Sequence, residues 1–369
     1  MSDNKISKAK SIRRARIFTD LVISAAIVGS CAYIVKGAFD RATVVSTSPY
    51  FDNTDIIDEP PVEEPTDPNQ TIYENSSVST KDKFSGTLIL VNADNQYFST
   101  GQEDLVSVIE KNEETGRTSF GAYDYSTRLL DIVYEPMAQM IDDFYAATYL
   151  DDIIIYGAYR TYEVQEQLYN DDLAATGQSE STRVAKPGYS EHESGYAFDL
   201  SKLPDYDYDG TGEYAWFTDN CYKYGFILRY PEGKESMTSI QYEPWHFRYV
   251  GLPHAYYIST NGLCFEEYID LVRQHPYDGE HLEFTDESGK SYEIYFVASD
   301  DGSETTSVPV PAGIKYEISG NNVDGFIVTV YNDEPAQAEP VTEAAADEAG
   351  YDAPEDEDVS SDEAYTEEY

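Results

Sequence analysis

At 369 residues, with 41% hydrophobic and 14% aromatic content, the chain can bury at least one sizeable core, which excludes a wholly disordered protein. A net charge of -46 argues against nucleic acid as a partner, because its phosphates would be repelled. Three cysteines exclude a disulfide scaffold: Cys31 lies in an apolar N-terminal run, and Cys221 and Cys264 make at most one bridge, free thiols being the commoner outcome.

Lys5, Lys8, Lys10, Arg13, Arg14 and Arg16 precede an uncharged apolar run from Leu21 to Val35. Cations before such a run hold the N-terminus in the cytoplasm and send the downstream chain across the membrane. The run is short of the roughly 20 residues a spanning helix needs. Phe18 and Thr19 before it, and a snorkelling Lys36 with Ala38 and Phe39 after it, extend it. Residues 1–40 are therefore expected to be a cytoplasmic basic segment and membrane anchor, with the rest of a single-pass protein outside the cell. The alternatives are a cleaved signal peptide and a lipoprotein signal, for which Val28-Gly29-Ser30-Cys31 is a passable lipobox.

Residues 41–83, with Pro49, Pro60, Pro61, Pro65 and Pro68 among many acids, read as a disordered stalk. Structure is expected from Phe84, with Thr87 to Val91 as a strand. Leu129, Leu130, Ile132, Val133, Met137, Met140, Ile141 and Phe144 recur at helical steps and predict an amphipathic helix. A short strand follows at Ile153 to Tyr156, then a helix capped by Thr161 and stopped at Gly177. Beyond it come a glycine-punctuated loop and strand from Gly188 to Leu200, a helix from Tyr214 to Tyr224, strands at Phe226–Leu228 and Trp245–Val250, and short helices at Pro253–Ser259 and Phe265–Arg273. Strands and helices mix without regular alternation, so the fold class is α+β: a small antiparallel sheet with flanking helices over residues 84–275. The texture then changes, and residues 276–332 read as a small all-β module. From Asp333 to Tyr369 there are 15 acidic residues and no Lys or Arg, the composition of a disordered tail.

The chemistry concentrates in two stretches. One is Ser190-Glu191-His192-Glu193-Ser194-Gly195-Tyr196-Ala197-Phe198-Asp199, and the other is Glu243-Pro244-Trp245-His246-Phe247-Arg248-Tyr249. A catalytic zinc takes three N or O ligands and keeps a fourth position for water. His192, Asp199 and His246 make such a set, with Glu243 as a free carboxylate beside it. The competing reading is two satisfied core histidines in a segment rich in Trp and Tyr.

The wording of these stretches, together with Tyr156-Gly157-Ala158-Tyr159-Arg160-Thr161 and Tyr224-Gly225-Phe226-Ile227-Leu228-Arg229-Tyr230-Pro231, resembles the VanY-type D-alanyl-D-alanine carboxypeptidases. These are zinc peptidases related to VanX-type dipeptidases and to the hedgehog domain. The resemblance implies His192, Asp199 and His246 as ligands of Zn2+ and Glu243 as the base acting on zinc-activated water. It implies Arg160 as the catalytic cation facing the substrate, with Gln165 and Ser190 lining the pocket. Trp245 is expected either to pack beside the metal or to wall that pocket. His254, His275 and His281 are expected to be structural or surface residues. The implied reaction removes the terminal D-Ala of peptidoglycan stem peptides. L,D-carboxypeptidase or endopeptidase action on wall peptides is the alternative within the chemistry, and a non-catalytic wall-binding adaptor the alternative outside it.

Overall fold

The computed structural model describes residues 71–99 and 104–336. The expected anchor, most of the stalk and most of the acidic tail lie outside them. Among the described residues, no helix is long and apolar enough to cross a membrane.

In chain order, β1 (Tyr73–Ser79) precedes β2 (Leu105–Ser107), α1 (Val108–Thr115), β3 (Gly121–Ala122) and β4 (Arg128–Leu130). Then come α2 (Asp131–Thr148), β5 (Ile153–Gly157), α3 (Tyr162–Thr176) and β6 (Ala197–Lys202). They are followed by α4 (Ala215–Asn220), β7 (Phe226–Leu228), α5 (Glu235–Thr238), β8 (His246–Tyr249), α6 (His254–Thr260) and α7 (Phe265–Arg273). The chain ends in β9 (Leu282–Thr285), β10 (Ser291–Ala298), β11 (Thr305–Pro311), β12 (Ile314–Gly320) and β13 (Gly325–Pro335). The class is α+β, as the sequence indicates.

Local rules account for the helices. Val133, Met137, Met140, Ile141 and Phe144 of α2 are all buried, one apolar stripe at steps of three and four. Thr161 caps α3 by accepting from the Val164 amide at 3.4 Å, and Gly177 closes it in the left-handed region at φ 69°.

The central sheet runs β3-β5-β6-β8-β7, antiparallel except for β3 beside β5. Its pleat sorts two functions onto two faces. Phe198 and Phe247 are cross-strand partners and enter one core with Met137, Phe144, Ile155 and Phe217. Asp199 and His246, the next pair in register, must therefore point to the other face.

A second core is shared between α6, α7 and the C-terminal strands, joining Ile258, Phe265, Ile269 and Val272 to Ile294, Phe296 and Ile327. The C-terminal strands form a sheet β12-β13-β10-β9 and a ribbon β1-β11. Three expectations are corrected here. Residues 73–83 are not stalk: β1 pairs along its length with β11, and Tyr73 and Val78 pack against Val308, Val310 and Tyr295. The module also runs past 332, because β13 continues to Pro335, where Asp333 accepts from the Ser291 amide and Glu334 is paired with Lys290 and Lys315. Thr87 to Val91 forms no strand. Its Leu88, Ile89, Leu90 and Val91 are buried, but its backbone partners are mostly side chains: the Leu88 amide donates to Ser319 Oγ, and Arg248 donates to the Thr87 and Ile89 carbonyls.

Candidate active site

Three elements converge on one point. The register of β6 and β8 sets Asp199 opposite His246. His192 arrives on a single 3-10 turn, Glu191–Ser194, which Gly195 closes at φ 74°. Ligand-capable atoms of His192, Asp199 and His246 all lie within 4.8 Å of one another. His192 Nε2 is 3.3 Å from Asp199 Oδ2, His246 Nδ1 is 3.0 Å from Asp199 Oδ1, and the two imidazole rings are nearly perpendicular at 89°.

The outer nitrogens of both rings are held. His192 Nδ1 sits 2.8 Å from the Ala158 carbonyl and must donate to it, which leaves Nε2 as the lone pair facing Asp199. His246 Nε2 faces Glu191 Oε2 at 3.4 Å, so its Nδ1 turns inward. Two inward imidazole nitrogens and a carboxylate, with outer nitrogens tied to a carbonyl and a second carboxylate, are the donor set and the bracing that zinc takes. The residues present fit that ion.

Glycine at 157 makes room for this arrangement. A Cβ there would meet Asp199 Oδ2 at 2.4 Å and Arg160 Nη2 at 3.0 Å. Arg160 Nη2 donates to Asp199 Oδ2 at 3.0 Å while 24% of its side chain remains exposed. Glu243 closes the group, its Oε2 3.9 Å from His246 Nδ1.

Electrostatics differ sharply between neighbours. Burial lowers His192 to about 4, with the Arg160 cation acting in the same sense. Burial also works against a charged His246, but the hydrogen bonds its ring donates to Asp199 and Glu191 outweigh it and raise the ring to about 9. The two rings share Asp199; they part because one has Arg160 beside it and the other a second carboxylate. Asp199 lies well below the carboxylate range, since His192 and His246 overcome its burial. Burial pushes Glu243 up to about 7; His246 and Arg160 oppose the rise and Asp199 adds to it. A carboxyl poised there exchanges a proton near neutral pH.

The family model described as VanY, D-alanyl-D-alanine carboxypeptidase, matches residues 127–252. A D-alanyl-D-alanine carboxypeptidase of Enterococcus faecium is 34% identical over 260 residues, spanning 69% of this chain and 78% of that protein. The chain belongs to the VanY family. The bifunctional D-Ala-D-Ala dipeptidase and carboxypeptidase VanXYC of Enterococcus gallinarum is 40% identical over 154 residues, 39% of this chain and 81% of that one. Among solved structures, the vancomycin-resistance D,D-dipeptidase VanXYg, crystallised with a D-Ala-D-Ala phosphinate analogue, superposes with a TM-score of 0.61 at 28% identity, covering 70% of this chain and 99% of that one.

The remaining residues of this VanY-family chain fall out unevenly. Gln165 is buried on α3; its Nε2 donates to the Ala185 carbonyl at 2.8 Å, and its Oε1 is buried with no hydrogen-bond partner among the described residues. Ser190 is buried at the entry to the 3-10 turn, where its carbonyl accepts from the Glu193 amide. Trp245, immediately before His246 in the chain, is about one-third exposed (36%). Cys221 and Cys264 are free and buried. His254 is a buried structural residue between Tyr268 Oη and Thr329 Oγ1.

Sequence reasoning missed Glu191, Arg229 and Arg248. All three have fully buried side chains, and Glu191 Oε1 accepts from Arg229 Nε at 2.7 Å and Arg248 Nη1 at 2.8 Å. A signal existed: each arginine stands among apolar and aromatic residues of a short strand or its end, where alternation leaves a charge no solvent-facing position.

Proposed function

We propose that this chain is a zinc-dependent D-alanyl-D-alanine carboxypeptidase that removes the terminal D-Ala from peptidoglycan stem peptides. The observation that carries the reading is the convergence of His192, Asp199 and His246 within 4.8 Å, with the Glu243 carboxyl beside them. Family membership supports the peptidase chemistry. The basic and apolar N-terminal segment, read as an anchor, supports a site outside the membrane, where wall peptides lie.

His192 Nε2, Asp199 and His246 Nδ1 would hold the ion, which when bound supplies a Lewis acid and lowers the pKa of water. Glu243, lifted to about 7, takes a proton from the attacking water and returns it to the leaving amine of D-alanine. Arg160 already holds Asp199 through Nη2; the rest of its planar fork can bind the terminal carboxylate of the peptide bidentately. Ser190 and Gln165 are assigned to the substrate pocket on the resemblance, and Trp245 on its place beside His246 in the sequence.

The test is digestion of a stem pentapeptide ending in D-Ala-D-Ala, read by mass. One alanine should be released, a chelator should stop the release and zinc restore it. Glu243→Gln should slow cleavage by roughly 100- to 10,000-fold, the range of a general base. No release with zinc supplied would refute the proposal. Release from the tetrapeptide instead would assign L,D-carboxypeptidase action to the same residues.

A further inference from the structure

Three buried charges beside the site have no part in the proposed chemistry. The side chains of Glu191, Arg229 and Arg248 are each 0% exposed. Charges so fully removed from water persist only where their partners are fixed. With Oε1 of Glu191 engaged by both arginines, its Oε2 is left facing His246 Nε2 at 3.4 Å. An imidazole whose outer nitrogen is held by a carboxylate keeps its tautomer and orientation, and so its inward lone pair.

Arg248 reaches in the other direction as well. Its Nη2 donates to the carbonyls of Thr87 at 2.9 Å and Ile89 at 3.0 Å. The C-terminal module grips the same run of chain. Leu88 N donates to Ser319 Oγ at 2.9 Å, Leu90 N to the Asn321 carbonyl at 3.1 Å, and Asn322 Nδ2 to the carbonyls of Leu90 at 2.8 Å and Gln96 at 2.9 Å. Residues 87–91 are therefore held on one side by the module and on the other by the arginine that seats Glu191. Arg229 makes a parallel link, its fork meeting Glu266 of α7, the helix whose apolar face shares a core with β10 and β13.

We propose that the C-terminal β module is a working part of the metal site: it holds residues 87–91 against Arg248, Arg248 seats Glu191, and Glu191 is the positioning residue that orients His246. This rests on the zinc reading of the site. It makes the module a brace for catalysis, where its place in the sequence suggests only an appended domain.

The experiment uses the full chain and measures the zinc dissociation constant by competition with a chromophoric chelator, beside kcat and KM on the pentapeptide. Glu191→Gln should weaken zinc binding by about 10- to 100-fold and lower kcat with KM unchanged. Asn322→Gly removes the amide while keeping a residue at ease in the left-handed backbone at φ 59°. It should weaken zinc binding by roughly 2- to 30-fold although Asn322 touches no ligand. Tyr295→Phe, which removes a hydroxyl bond to the Pro309 carbonyl within the module, should leave zinc affinity at the wild-type value. If Glu191→Gln does not fold, Asn322→Gly against Tyr295→Phe decides. Equal zinc affinity in those two, or wild-type affinity in a folded Glu191→Gln, overturns the inference alone. A wild-type chain that neither binds zinc nor cleaves the peptide overturns the functional reading and this inference with it.

Discussion

Gly157→Ala isolates the geometry of the site with a single methyl group. The glycine is paired with Asp199 across β5 and β6 and is not among the residues with a left-handed φ, so alanine strains no backbone dihedral there. The added Cβ would lie 2.4 Å from Asp199 Oδ2, where ordinary contact needs at least 3.4 Å, and 3.0 Å from Arg160 Nη2. Either the carboxylate retreats by about 1 Å or the strands part, and overpacking of this kind costs about 1–3 kcal/mol. In stability that is a fall of only a few degrees in Tm for a domain of this size. In catalysis the same displacement falls on a proposed ligand and on the arginine beside it, and a misplacement of about 1 Å can cost 100-fold. Pentapeptide turnover should therefore drop by about 100-fold while the thermal transition stays cooperative. Gly177→Ala is the matched control: it forces a residue with a Cβ into a left-handed cap at φ 69° but meets nothing within 4 Å, so it should lose stability and keep turnover. A folded Gly157→Ala enzyme within about twofold of wild type would show that Asp199 has no tuned position, which contradicts the reasoning from near-attack geometry.

Two more outcomes come from the buried polar groups. His254, buried with both nitrogens hydrogen-bonded, is lowered to about 3 by its burial, so below pH 6.5 the unfolded chain binds a proton that the folded chain refuses. Its contribution is complete above pH 6.5 and is lost as pH falls towards 3, at about 1.4 kcal/mol per unit or about 2 kcal/mol by pH 5; urea midpoints at pH 7 and pH 5 should show this slope, and His254→Gln should flatten it. Glu266→Ala leaves the Arg229 fork buried with only Glu191 as partner and should destabilise the chain by about 3 kcal/mol. A urea midpoint within error of wild type would show that solvent reaches Arg229 after all.

What the sequence makes legible is what is local. The stripe on α2 and the Thr161 and Gly177 caps of α3 are set by residues a few positions apart, so periodicity and capping rules find them. The proposed ligand set is legible for a different reason. Residue chemistry alone leaves core histidines as an open reading, and it is the resemblance of the motifs that turns the reading toward a metal. What escapes is pairing over long separations. Tyr73–Ser79 is a polar strand with little apolar alternation, and its partner Thr305–Pro311 lies at the other end of the described chain. Thr87 to Val91 shows a strand's composition, but composition cannot reveal that Arg248, Ser319 and Asn322 replace a neighbouring strand.

The missed carboxylate shows where that limit meets function. Glu191 stands between Ser190 and His192, so the motif displays it, yet nothing nearby in the sequence tells whether it faces solvent or His246. Its environment is made by Arg229 and Arg248, and theirs by Glu266 and the carbonyls of residues 87 and 89. In a chain with a net charge of -46, surface carboxylates are abundant and each is worth little. The fully buried one is different because losing it leaves two arginines uncompensated in the interior. Asp199 and His246 can therefore be read from the chain one motif at a time, whereas the groups that hold His246 in place depend on segments from both ends of the described structure.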